Sequence, residues 1–76
     1  MSFQAYLDTI EQKTGKSPGD LRAMGTANGW TAGDTLAPGI KPVAIVEQLK
    51  SDLGLGHGHA MAVVALLKGT KKEGDA

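Results

Sequence analysis

Residues 60–67 read Ala60-Met61-Ala62-Val63-Val64-Ala65-Leu66-Leu67, an unbroken apolar run inside a chain of 76 residues. With His57 before it and Lys68 after it, the segment has the length of a helix rather than a strand, and its apolar side chains point in every direction around the helix axis. Such a helix has no face to offer water, so it must be central and covered by the rest of the chain. The run is also far short of the roughly 20 residues needed to cross a bilayer, so lipid does not provide the cover.

The covering elements are legible from period and punctuation. Phe3, Tyr6, Leu7 and Ile10 recur at the spacing of one helical face, Ser2 can cap the start, and Gly15 supplies the stop, predicting a helix over 3–14. Its other face, with Asp8, Glu11 and Gln12, is solvated. Ser17-Pro18-Gly19-Asp20 has the grammar of a second helix start and predicts a helix from Pro18 to about Asn28. Leu21 and Met24 are its only large apolar side chains, and Gly25 weakens it. Pro42 opens a third helix, over 42–52, on the stripe of Ile45, Val46, Leu49 and Leu53. Residues 29–39 show no surviving alternation and read as an irregular connection, with Trp30 and Leu36 tucked back onto the core. After Gly69, residues 70–76 read as a disordered, solvated tail.

The expected architecture is therefore all-α, a compact four-helix orthogonal bundle occupying residues 1–69, with a Gly-x-Gly hairpin joining the third and fourth helices. Its expected core is Phe3, Tyr6, Leu7, Ile10, Leu21, Met24, Ile45, Val46, Leu49, Leu53, Ala60, Val63, Val64 and Leu67. Gly58, Ala62 and Ala65 form a small-residue stripe on the central helix that lets another helix approach closely.

Composition removes several function classes. There are no cysteines, hence no disulfides, thiol chemistry or Cys-type metal sites. Eight Lys plus Arg balance eight Asp plus Glu, so no whole-molecule field draws the chain to nucleic acid or anionic lipid. No membrane association is expected. The first residues lack the pattern of a secretion signal, and a soluble, cytoplasmic protein is expected.

The most distinctive segment is Leu53-Gly54-Leu55-Gly56-His57-Gly58-His59-Ala60. Gly54 and Gly56 allow a tight reversal and leave backbone N–H groups exposed where the fourth helix begins, a setting that attracts anions. Gly54, Leu55, Gly56 and Ala60 give this stretch a resemblance to the helix-hairpin-helix nucleic-acid-binding motif. That resemblance implies that the amides of Gly54, Leu55, Gly56, His57, Gly58 and His59 hold a backbone phosphate without reading bases. Lys50 and Lys68, with Lys71 and Lys72, are the cations expected to assist.

Over about 65 residues the chain also resembles a small bacterial family of helical domains of unknown function. The likeness is carried by Ser2-Phe3-Gln4-Ala5-Tyr6-Leu7, by Thr14-Gly15-Lys16 with Pro18, and by Gly54-Leu55-Gly56-His57-Gly58-His59-Ala60-Met61-Ala62. It implies a compact, mostly helical domain and carries no activity with it.

His57 and His59 stand about 200° apart on a helix and cannot chelate one metal as an i, i+4 pair would. One imidazole is expected to pack beside Val63 or Val64 while the other stays wet. Neither Asp52, Ser51, Asp20 nor Tyr6 completes a catalytic pattern with them, so no enzyme activity, metal or other cofactor is expected. Gly15-Lys16-Ser17 lacks the earlier glycine and the strand of a phosphate-binding loop, which excludes nucleotide hydrolysis of that type. The leading expectation is a small interaction module that binds a protein partner or itself, with Leu36, Ile40 and Trp30 as candidates for an apolar patch. The competing one is weak, sequence-independent nucleic-acid binding through the 54–59 turn.

Overall fold

The computed structural model describes residues 2–33 and 35–75. They form α1 (Phe3–Thr14), α2 (Pro18–Ala27), β1 (Thr31–Ala32), β2 (Thr35–Leu36), α3 (Pro42–Leu53) and α4 (His57–Lys68). The fold is mostly helical, and α4 is its axis: α1, α2, α3 and β2 all pack against it. Burial follows from that arrangement. Ala60, Ala62, Val63, Val64, Leu66 and Leu67 of α4 are buried together with Phe3, Leu7 and Ile10 of α1, Leu21 of α2, and Ile45, Val46 and Leu49 of α3.

Each helix begins and ends where local chemistry dictates. The Ser2 hydroxyl accepts from the Ala5 N–H at 3.2 Å, and Gly15, in the left-handed conformation, closes α1 by donating its N–H to the Glu11 carbonyl at 2.8 Å. Ser17 and Asp20 form a reciprocal capping box, with the Asp20 N–H on the Ser17 hydroxyl at 3.1 Å and the Ser17 N–H on the Asp20 carboxylate at 3.0 Å. The Ser17 backbone N–H, and after it the Ser17 hydroxyl, hold the Asp20 carboxyl below its ordinary range. The Asn28 N–H and side-chain amide both reach the Met24 carbonyl at 2.9 Å, which ends α2 at Ala27, one residue earlier than its sequence pattern suggests.

Three expectations need correction. The chain is not purely α: residues 29–39, expected to be irregular, contain a two-stranded antiparallel pair, Thr31 opposite Leu36 and Ala32 opposite Thr35. Strands of two residues are too short to show an alternating pattern. The core also differs at its edges. Tyr6, Met24 and Leu53 are only half-buried against it, whereas Leu55, Ala62 and Leu66 belong to it. Trp30, Leu36 and Ile40 likewise pack against the core and do not form an exposed patch. Gly25 is more than a weak point in α2, because a Cβ there would stand 3.0 Å from a Leu67 methyl and 3.3 Å from the Thr31 methyl. Its absence lets α2 close onto α4 and β1.

The segment after α4 folds back over the helices. The N–H groups of Gly69 and Thr70 take up the terminal α4 carbonyls of Leu66 and Ala65. Glu73 meets Arg22 of α2 in a bidentate ion pair at 2.6 and 2.7 Å. Gly74 donates to the Gln4 side chain at 2.8 Å, and the Gln4 N–H reaches the Asp75 carbonyl at 3.3 Å.

Candidate functional site

The 54–59 turn is anchored from below. Gly54 ends α3 in the left-handed conformation, φ +66°, which a residue with a side chain adopts only at a cost. The chain then drives the Leu55 side chain into the core, 3% exposed, before Gly56 takes the N-cap position of α4. Gly56 brings no capping side chain, so the first amides of α4 carry no side-chain partner. A Cβ at Gly56 or at Gly58 would meet nothing within 4 Å, so the backbone here can be approached.

The lysines assigned to this turn are not gathered there. Lys50 lies in the last turn of α3, close in sequence to Gly54. Lys68 is at the opposite end of α4, about 16 Å from His57 at 1.5 Å per residue. Lys71 and Lys72 follow it on that far side. His57 is exposed, and His59 is half-buried. The His59 ring meets Tyr6 of α1 edge to face, with centroids 5.3 Å apart. Among the described residues no three His, Asp or Glu side chains converge where a metal ion could be held.

Among the described residues, recesses open on two parts of the surface. One, of about 250 Å³, is an apolar groove between α1 and α4, lined by Phe3 and Tyr6 on one side and by Gly58, Met61, Ala62 and Ala65 on the other. The small-residue stripe of α4 therefore forms one wall of a groove, and Met61 at its edge is 42% exposed. Lys71 stands at one end with its ammonium 5.9 Å from the centre of the Phe3 ring.

The other recess, of about 240 Å³, lies between α2, the β1–β2 hairpin and the carboxyl end of α4. Its walls carry Arg22 and Thr26 from one face of α2, Thr31 from β1, and Lys71 and Lys72 from the returning segment, over a floor of Leu66 and Leu67. The Thr26 and Thr31 hydroxyls are 3.4 Å apart. The hydrogen bonds from Arg22 hold the Glu73 carboxyl down at about 2, against an ordinary 4.5. Sequence reasoning does not find this recess. Its only trace there is the i, i+4 spacing of Arg22 and Thr26 and the pair of lysines just past Gly69.

These features define a small, mostly helical domain with a tight inter-helix turn, an apolar groove and a cation-rich recess. No helix among the described residues is long and apolar enough to cross a membrane. The chain belongs to a family described as a domain of unknown function (DUF4287), whose model matches residues 2–69. No curated protein and no solved structure matches it.

Proposed function

We propose that this domain is a protein-interaction module that receives a helical segment of another polypeptide in the groove between α1 and α4. The observation that carries this reading is Met61, 42% exposed on a helix whose other large apolar side chains are buried. It stands beside Gly58, Ala62 and Ala65, a row of small residues that leaves room for a second helix backbone. An apolar side chain fully buried in such a groove contributes about 1.5–3 kcal/mol. Association itself costs about 4–15 kcal/mol, so two or three anchors give weak, reversible binding.

The test uses the labelled domain and a synthetic amphipathic peptide with leucines at i, i+4 and i+7, followed by amide-resolved NMR beside a dilution series of the domain alone. Shifts confined to Tyr6, Gly58, Met61 and Ala65, and lost in Met61→Glu, are expected with the peptide. The same shifts on concentrating the domain alone identify a second copy as the occupant. Spectra unmoved by peptide and by concentration refute the reading.

A second reading rests on a separate observation, the uncapped and approachable amides at the start of α4. Gly54, Leu55 and Gly56, with Lys50 close by in sequence, form a helix-hairpin-helix-like turn suited to a nucleic-acid phosphate. With Lys68 at the other end of α4, few cations support it, so its affinity for a DNA duplex is weak and falls with salt. Salt-sensitive shifts at residues 54–59 that disappear in Lys50→Glu support this reading, and silence at low salt refutes it.

A further inference from the structure

Given the groove reading, on which this rests, we propose that the helix received between α1 and α4 is acidic at both ends: a segment of another protein with apolar anchors along one face and Asp or Glu flanking them. The groove is lined by Phe3, Tyr6, Gly58, Met61, Ala62 and Ala65, with Lys71 at one end, and no acidic side chain is among them. Its charge is set by what stands along the two edges.

On α4, Lys68 follows Met61 by seven residues, so it stands on the same row, about 20° round the helix and about 10 Å further along. On α1, Lys13 follows Tyr6 by seven and continues its edge in the same way. Both lysines are exposed, and neither takes part in an ion pair among the described residues. These two suffice without Lys71, which is held over the Phe3 ring.

Acids are kept off these edges. α4 carries none, and the two on α1, Asp8 and Glu11, stand about 160° and 140° round the helix from Tyr6. Asp75, whose backbone carbonyl meets the amino end of α1, has its carboxylate on the Lys72 N–H at 2.9 Å. A chain of zero formal charge thus places two positive flanks beside its apolar groove.

The two helices run in opposite directions: Tyr6 meets His59 near the start of α4, and Phe3 lies by Lys71 beyond its end. Lys13 and Lys68 therefore mark opposite ends of the groove, about 24 Å apart, the length of a helix of about 16 residues. A second copy is the wrong occupant, because a two-fold contact through this groove sets the lysines of one molecule against those of the other.

The experiment titrates the labelled whole chain with three synthetic peptides of about 18 residues, long enough to reach both lysines. They share leucines at i, i+4 and i+7 and the same covalent staple on the outer face, and differ only in carrying Glu, Gln or Lys at both ends. An exposed ion pair favours association by a factor of about 1.4 to 5, so two pairs should place the Glu peptide about 2- to 25-fold ahead of the Gln peptide, with the Lys peptide weakest. Raising the salt should shrink that lead. Lys13→Glu with Lys68→Glu should reverse the order, and the milder Lys13→Gln with Lys68→Gln should level it. Lys41→Glu changes the net charge at the start of α3, which lines no part of the groove, and should preserve the order. Each variant must keep the parent circular dichroism spectrum, as expected for exposed side chains. Equal binding of the three peptides at Tyr6, Met61 and Ala65, or an order unchanged in both double variants, overturns the proposal and leaves the groove reading standing. The same shifts on concentrating the domain alone overturn it too, in favour of a second copy. Silence with all three peptides refutes the groove reading and the proposal with it.

Discussion

Replacing Leu55 by alanine tests whether the turn between α3 and α4 is held by packing. Leu55 belongs to no helix, yet its side chain is 3% exposed and belongs to the same buried cluster as Leu49, Ala60 and Val63. Burying a leucine contributes about 1.5–3 kcal/mol, and the cavity left by truncation raises the loss to about 2–5 kcal/mol where neighbours cannot collapse. A domain of this length has about 4–11 kcal/mol of stability in total. The variant should therefore lose a large part of it, with a melting temperature lower by roughly 8 °C or more. Urea unfolding followed by far-ultraviolet circular dichroism measures the loss, and an unchanged slope against denaturant shows that the folded and unfolded states are otherwise alike. Gly54→Ala is the companion variant: a Cβ there meets nothing within 4 Å, so its cost is conformational, about 1 kcal/mol. If Leu55→Ala loses less than about 1 kcal/mol, or no more than Gly54→Ala, packing does not pin the turn and the reasoning fails.

Gly25→Ala gains about 1 kcal/mol of helix propensity but drives a methyl to 3.0 Å from Leu67 and 3.3 Å from Thr31. Overpacking of this kind costs about 1–3 kcal/mol, so a net loss of up to about 2 kcal/mol is expected in the same unfolding assay, and a net gain would contradict the tight approach. Ser17→Ala removes the hydroxyl half of the α2 capping box and should cost about 1 kcal/mol, read from the urea midpoint. Glu73 has a depressed carboxyl pKa in the folded state, so its stabilising share is complete above the ordinary value of 4.5 and is lost as the pH falls toward about 2. Because both partners are 44% exposed, that share is only about 0.2–1 kcal/mol. A side-chain NMR titration should find the depressed pKa in the parent and a normal one in Arg22→Gln.

Helix boundaries were the most legible part of this chain, because each is set by residues within one turn of it. Ser2 with Gly15, Ser17 with Asp20, Pro42 with Gly54, and Gly56 with Gly69 mark all four. The central place of α4 followed from its all-round apolar surface. What was hidden depends on contacts between distant residues. Leu55 lies between two glycines and joins no periodic stripe, so only the fold reveals its burial. Thr31 and Leu36 pair as strands because the chain from Trp30 to Ala37 closes on itself, with the Ala37 N–H on the Trp30 carbonyl at 2.9 Å. Along the sequence Lys50, Lys68, Lys71 and Lys72 read as cations of one turn. A helix of 12 residues separates its ends, so Lys50 and Lys68 belong to different neighbourhoods.

The contacts of Gln4 with Gly74 and Asp75, across about 70 positions of sequence, bring the entry and the exit of the fold to a single place. A polypeptide continuing in both directions would therefore leave side by side, and the domain could be spliced into a surface loop of a host protein without prising the loop's ends apart. By the same geometry a short peptide linker would close the chain into a ring. Most of the entropy for joining those ends is already given up by folding, so the circular form should fold as the open one does and unfold at a higher temperature.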